Sequence, residues 1–176
     1  MADGPKDLDR LDLMCKVITR TDGFHNYANT KSTVILTFTT AILALIIANV
    51  SHFYQFLNTS TVPHVKLVFS ILLFAELLLL FFALLLISKT LIPNTDKSKT
   101  KNIYSFVDIY TNFNAEEYKA EVLSVTRDDL IVSMCDLQYN LSNSLDKKYI
   151  CHKRAVLCLK NTLILMLISS LILIIA

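Results

Sequence analysis

Three long apolar blocks alternate with polar segments along the chain. The blocks cover residues 32–57, 67–89 and 155–176 and contain few formal charges. A helix of about 20 apolar residues spans the hydrocarbon core of a bilayer, so each block is long enough to cross it. The pattern therefore predicts three transmembrane helices, with a short loop at 58–66 between the first two.

The N-terminal segment 1–31 has apolar residues at intervals of three and four, which is the period of a helix. These residues are Leu8, Leu11, Cys15 and Ile18. We expect a short amphipathic helix that Gly23 interrupts, followed by a polar stretch that leads into the first span.

The segment 90–154 also has the pattern of helices. Its apolar cluster 103–110 fits a strand or a short helix, and we favour the helix. No Gly or Pro follows residue 128, which predicts one helix of about 49 residues, roughly 73 Å long, that continues into the third span. Two residue pairs have the spacing of helix N-caps: Asn114 with Glu117, and Thr126 with Asp129.

The basic residues predict the orientation. Segment 1–31 contains five Lys and Arg residues, the loop 58–66 contains one, and segment 89–154 contains ten. Because basic residues are retained on the cytoplasmic side, we expect a cytoplasmic N-terminus and an outer C-terminus. The predicted fold is an all-α membrane protein with a small helical cytoplasmic domain, residues 90–154, between the second and third spans.

The composition argues against several classes of function. Of the 176 residues, 53% are hydrophobic and 18% are charged, against about 25% charged in soluble domains. The net charge of +2 is too small to indicate nucleic-acid binding. The four cysteines lack metal-site spacing, and no catalytic group of residues stands out, so we expect a non-enzyme without metal or cofactor. Both glycines precede the first span, which leaves Pro93 and the linker after it as the expected flexible joint.

Glu76 is the one acidic residue inside a predicted span. A carboxylate at the centre of a bilayer costs roughly 2.5 kcal/mol or more, so Glu76 should face protein or water. It lies about 18 Å from the cytoplasmic end of its span, whereas Lys160 lies about 9 Å from the end of its own. A direct pair within one chain is therefore not expected, and Lys160 should extend to the cytoplasmic interface.

Two interpretations of Glu76 stay open: a protonated carboxyl bonded to a neighbouring helix, or a group that lines a pore. Small residues on the first span suit close helix packing, and Thr40 among them lies near the depth of Glu76. We assign Thr37 and Thr40 to the same membrane or pore site as Glu76. The small residues are Thr33, Thr37, Thr40, Ala44 and Ala48.

Aromatic and basic residues of the predicted cytoplasmic side could form a nucleotide pocket. Tyr104 and Tyr118 offer faces for stacking on a base, and Lys31, Arg127 and Lys148 offer contacts to phosphate. Retention of basic residues next to a span explains part of this pattern equally well.

The order of several short motifs resembles that of the Pycsar transmembrane effectors, small bacterial antiphage proteins. Asn29 stands where this family typically has an acidic residue, two positions before the lysine that Lys31 matches. The motifs are Tyr27–Ser32 before the first span, Pro93 after the second, Asn102–Phe106, Tyr118, then Gln138, Leu141 and Ser142, and finally Lys148 with Tyr149.

The resemblance implies a bacterial inner-membrane effector that responds to a cyclic pyrimidine mononucleotide, cCMP or cUMP, made by a partner cyclase. Such an effector impairs the membrane, and we expect it to act on the lipid bilayer as a homo-oligomer. Two alternatives remain. One is a structural subunit of a membrane complex, in which the stripe 130–145 docks a partner, and the other is a small ion transporter that uses Glu76.

Overall fold

The computed structural model describes residues 5–59, 62–92 and 101–175, and all regular structure within them is α-helical. Three of the helices are long and apolar enough to cross a membrane, over Arg10–Ala48, Pro63–Leu91 and Arg127–Ile174. Pro93 and most of the linker after it lie outside the described residues. The helices are α1 (Pro5–Ala48), α2 (Val50–Thr59), α3 (Pro63–Leu91), α4 (Phe106–Asn112), α5 (Ala115–Ser124) and α6 (Arg127–Ile175).

The expected break at Gly23 is wrong, because α1 continues through it without interruption. A glycine inside a helix costs only about 1 kcal/mol relative to alanine. Hydrogen bonds from α6 to Thr21 and from His25 to α6 hold α1 on both sides of the glycine.

The first apolar block is two helices rather than one. Helix α1 ends at Ala48, and α2 begins at Val50. Between them, the Asn49 side chain donates a 2.8 Å hydrogen bond to the Leu45 carbonyl. The Asn49 carbonyl accepts from the Phe53 amide at 3.1 Å, so backbone hydrogen bonding resumes directly after the break.

The helical predictions for the polar segment are confirmed. The second part of the apolar cluster, from Phe106, forms α4 (Phe106–Asn112), with Ser105 as its N-cap, whereas residues 103–105 precede the helix. Asn114 and Glu117 form a reciprocal capping box at the start of α5. The Thr126 hydroxyl accepts from the Asp129 amide before α6, which has the expected 49 residues.

The described residues form two compact units. We call residues 5–28 with 101–147 the amphipathic unit, and residues 29–59, 62–92 and 148–175 the span unit. Helices α1 and α6 contribute to both units, whereas α2 and α3 belong to the span unit and α4 and α5 to the amphipathic unit.

Buried side chains in the span unit recur at every seventh residue of each long helix. This heptad period is typical of helices that pack as a left-handed coiled coil. Most of the side chains are small, which lets the helix backbones approach closely. They are Ser32, Thr39 and Ile46 on α1, Phe69, Glu76, Ala83 and Thr90 on α3, and Ala155, Thr162 and Ser169 on α6.

An aromatic cluster joins α2 to α3 in the same unit. The ring of Phe69 is buried, with centroids 5.7 Å from Phe53 and 5.2 Å from Phe56. The Phe56–Phe69 pair is edge-to-face, and pairs of this kind add stability beyond the buried area. The apolar face of α2 therefore packs on the first half of α3.

Candidate functional site

A buried asparagine fixes the loop that precedes α4 in the amphipathic unit. Asn102 is 1% exposed, and its side-chain amide donates to the Ser133 carbonyl at 2.7 Å. Its side-chain oxygen accepts from the Tyr104 amide at 2.8 Å. The Tyr118 hydroxyl donates to the Ile103 carbonyl at 3.2 Å. These bonds fix the backbone of the loop at Ile103 and Tyr104, and they explain why the motif begins with asparagine.

Tyr104 lines a cavity of about 290 Å³, which we call the Tyr104 cavity. This volume lies near the lower end of the range for small-molecule pockets, about 300–1,000 Å³. Its lining includes no Lys or Arg among the described residues. Burial raises the pKa of the Tyr104 phenol, and the nearby Cys15 and Tyr118 add to the shift. The polar lining is Asp22, Tyr104, Ser105, Asn140 and Ser144, and the apolar lining is Ile18, Phe106, Val107, Leu137 and Leu141.

Another of the motifs lies on α6 and consists of Gln138, Leu141 and Ser142, all of which form hydrogen bonds. The Gln138 amide donates to the Thr21 hydroxyl at 2.8 Å and to the Ser142 hydroxyl at 3.1 Å. The Leu141 carbonyl accepts from Nε2 of His25 at 3.0 Å. This motif therefore connects α6 to α1 beside the Tyr104 cavity.

The predicted ligand residues fall in different places. Tyr104 lines the cavity and Tyr118 lies beside it, whereas Arg127 begins α6 in the same unit without lining the cavity. Lys31 and Lys148 lie in the span unit, where both lysines act electrostatically on the same side chain, that of His152.

Lys148 is bonded to Asn29, the position at which the resemblance implies an acidic residue. Its ammonium group donates to the Asn29 side-chain oxygen at 2.8 Å. An acidic residue at this position would meet the ammonium at the same distance as an ion pair. The asparagine thus keeps the contact between α1 and α6 and removes its negative charge.

We expect Asn29→Asp to stabilise the span unit by about 0.5 kcal/mol, because it turns this hydrogen bond into an ion pair at a partly exposed position. Burial lowers the pKa of the Lys148 ammonium, and the new carboxylate would oppose that shift. Thermal unfolding in detergent should show a higher midpoint that salt reduces. Asn29→Ala, which loses the bond, should unfold earlier, and equal midpoints for the two variants would contradict the assignment.

His152 belongs to a buried polar cluster that joins three helices of the span unit. The imidazole is 6% exposed and lies three residues before the predicted third span. Its Nε2 is 2.6 Å from the Ser32 hydroxyl, which is 2.7 Å from the Thr90 hydroxyl. Burial, followed by the charges of Lys31 and Lys148, lowers the pKa of His152.

The hydrogen-bond direction in this cluster follows from its last acceptor. Thr90 donates to the Ile87 carbonyl, which can only accept, so its oxygen accepts from Ser32. Nε2 of His152 lies 2.6 Å from the same Ser32 oxygen, and the imidazole tautomer decides which of the two donates. We call His152, Ser32 and Thr90 the histidine cluster.

The carboxyl group of Glu76 is also buried between helices. It is 3% exposed and accepts a 2.6 Å hydrogen bond from the Ser169 hydroxyl on α6. This contact is the arrangement that the first interpretation of Glu76 describes, in which the carboxyl bonds a neighbouring helix. Lys160 is exposed.

Thr37 and Thr40 do not lie with Glu76 inside the unit. Both are exposed, and their hydroxyls bond carbonyls of their own helix. The face of α1 that packs inside the unit is instead the one with Ser32 and Thr39. Small residues of α1 lie on more than one of its faces, so the sequence did not distinguish the packing face from the outer one.

Sequence reasoning missed the partners in these clusters. Ser169 had a usable signal, because it lies about 22 Å from Arg154 along its helix, within one helical turn of the depth of Glu76. His152, Thr90 and Ser32 had the weaker signal of polar residues at the ends of spans. Across the described part of the chain, His, Cys, Asp and Glu side chains form no group that could hold a metal ion.

Three helices of membrane-spanning length, combined with a small amphipathic helical unit, define a multi-pass α-helical membrane protein. The family model of the Pycsar effector protein domain matches residues 13–176. The chain is also 27% identical over 161 residues to the Pycsar effector protein EcPycTM of Escherichia coli, covering 89% of this chain and 86% of that protein. The chain therefore belongs to the Pycsar effector family, whose members act in antiphage defence. No solved structure matches it.

Proposed function

We propose that this protein is a bacterial inner-membrane effector that senses cCMP or cUMP and then impairs the membrane. The family match over residues 13–176 carries the proposal, because the family implies a cyclic nucleotide signal from a partner cyclase. The protein acts on the bilayer as a homo-oligomer and catalyses no reaction itself.

The Tyr104 cavity is the sensing site in this proposal. It lies in the amphipathic unit, has a size suited to a small ligand and presents Tyr104 and Phe106 as aromatic lining. Tyr118 supports the loop beside it. Lys31, Arg127 and Lys148 remain predicted contacts to phosphate.

The membrane effect uses the long helices as rigid elements. Helix α6 runs for 49 residues without a break, from the amphipathic unit to the end of the span unit. A shift at its first half can therefore reach Ser169 and its bond to Glu76. The proposed open state separates these two groups and brings the carboxyl to water in the oligomer, where Thr37 and Thr40 face neighbouring copies.

The proposal is tested in cells that express the chain with a cyclase of known product, using a membrane-potential dye. We expect depolarisation when cCMP or cUMP is made and none with an inactive cyclase, together with binding of the nucleotide by purified protein. Unchanged potential without binding of either nucleotide would overturn the proposal. Capture of a stoichiometric membrane partner under those conditions would support a structural subunit instead.

The proposed orientation places the amphipathic unit in the cytoplasm, because 15 of the 16 basic residues outside the spans would then lie there. We expect a membrane-impermeant maleimide to spare the exposed Cys15 and Cys135 in intact spheroplasts and to label them after lysis. Val62→Cys, introduced at an exposed position before α3, should react in intact spheroplasts. The reverse pattern would contradict the orientation.

A further inference from the structure

We infer that copies of this chain associate head to tail, with a basic outer face of α1 on one copy packed against an acidic outer face of α6 on the next. The inference rests on the homo-oligomer of the proposed function and adds to it the two surfaces that join the copies. It follows from the exposure, the charges and the levels of residues in the amphipathic unit.

The basic face of α1 exposes large apolar side chains next to arginines. The guanidinium group of Arg20 lies over the ring of Phe24, 5.6 Å from its centroid. The residues of this face are all exposed and point within about 100° of one another. They are Arg10, Leu13, Arg20, Phe24 and Tyr27.

The acidic face of α6 has the same construction with the opposite charge. Val132 and Tyr139 are 60% and 73% exposed, and the exposed Asp128 and Asp136 lie on either side of them. These four side chains point within about 80° of one another. Met134, on the opposite side of the helix, is buried.

A second copy of the chain is the partner that covers both faces. Both faces precede the predicted spans 32–57 and 155–176 on their helices, so hydrocarbon does not cover them. Exposed aromatic residues with arginine are typical of protein interfaces. Anionic headgroups would attract the basic face and repel the acidic one, and either face against its own kind would bring like charges together.

The two faces also lie at matching levels. Within one chain, Gln138 donates to Thr21, 117 residues before it, and the bond of His25 to α6 joins residues 116 positions apart. A residue of α1 is therefore level with the residue of α6 about 116 positions later. Rotation about an axis perpendicular to the bilayer keeps this level, so Arg20 of one copy lies level with Asp136 of the next.

The contact is heterologous, because it joins different helices of the two copies. Each added copy leaves one basic and one acidic face open, so further copies add until a ring closes. Arg10 and Asp128 come level in the same way and provide a second pair of opposite charges.

The test reverses the charges at Arg20 and Asp136 and measures the size of the full chain in detergent by light scattering, with and without cCMP or cUMP. Arg20→Asp and Asp136→Arg should each raise the concentration for half-assembly at least about tenfold, because like charges then face each other. The double variant should assemble like the wild type. An equal mixture of the two single variants should also assemble, because each then meets the opposite charge on the other.

Two exposed residues of α5 in the same unit provide matched controls. Lys119→Asp and Glu121→Arg introduce the same charges away from both faces, and we expect wild-type assembly from each. Circular dichroism should show wild-type helix content in every variant. The double variant keeps the wild-type net charge and tests the pairing independently of whether a single variant folds.

The outcomes separate the two levels of the proposal. A wild-type chain that stays monomeric with either nucleotide would contradict the homo-oligomer of the proposed function. An oligomeric wild type whose assembly neither single variant weakens would overturn only the two faces, and so would weakening that neither the double variant nor the mixture reverses. An effect of Arg20→Asp without one of Asp136→Arg would overturn the pairing and assign the basic face to anionic lipid.

Discussion

Replacing Glu76 with leucine abolishes the nucleotide-triggered loss of membrane potential and leaves the protein folded and inserted. A buried carboxyl costs roughly 2.5 kcal/mol or more in a bilayer, whereas leucine favours the packed arrangement of the spans. The variant should therefore hold the resting state and lack the polar group that meets water in the open state. Dye measurements in cells, with the amount of inserted protein determined in parallel, check the result.

Two adjacent serines on α6, Ser169 and Ser170, provide a matched pair of variants for the bond to Glu76. Ser169 is buried and donates to Glu76, whereas Ser170 is exposed and donates to the Met166 carbonyl of its own helix. Ser169→Ala should change the nucleotide response and Ser170→Ala should not. Glu76→Gln keeps an acceptor for Ser169 and separates hydrogen bonding from ionisation. Wild-type depolarisation in Glu76→Leu would return this residue to a packing role.

Ser32→Ala should destabilise the span unit by about 1–3 kcal/mol. The substitution removes the Ser32 partner of the buried Nε2 of His152, whereas the Thr90 hydroxyl keeps its bond to the Ile87 carbonyl. An unsatisfied buried polar group costs about that much. The thermal unfolding midpoint in detergent should fall accordingly.

Ser88→Ala is the control for this experiment, because Ser88 is exposed and its hydroxyl donates to the Leu84 carbonyl of its own helix. We expect this variant to change the free energy of unfolding by no more than an ordinary surface substitution does, about 0.5 kcal/mol. Its unfolding midpoint should therefore stay close to that of the wild type. Equal midpoints for Ser32→Ala and Ser88→Ala would show that the histidine cluster contributes little to stability.

Local signals in the sequence predicted most of the helices, but neither the break at Asn49 nor the continuation of α1 through Gly23. The apolar blocks predicted the three candidate spans, and the pairs at Asn114 and Thr126 predicted the starts of α5 and α6. The expected break at Gly23 was wrong because a helix tolerates one glycine when neighbouring residues are held by other contacts. That support comes from α6, more than 100 residues away in sequence.

The contacts between helices depend on how each helix is rotated about its own axis, and the sequence does not determine this rotation. Depth along the third span does not separate Ser169 from Ser170 as the partner of Glu76, and these two neighbours point about 100° apart. Likewise, Thr37 and Thr39 lie at similar depth, and only the packing shows that Thr39 faces inward.

The Tyr104 cavity depended on a contact that no local pattern shows. Asn102 holds its loop through the Ser133 carbonyl, 31 residues away. The sequence motif identified Tyr104 but not Asp22, which reaches the same cavity from α1. Arg127 was named from its charge alone and does not line it.

In our proposal, a cyclic pyrimidine nucleotide makes this chain impair a bilayer without any other protein. The most direct test reconstitutes the full chain in liposomes with an entrapped dye and supplies nucleotide on both faces, so that orientation does not matter. We expect dye release with cCMP or cUMP, and none without nucleotide. Intact liposomes at nucleotide concentrations that saturate binding would contradict it.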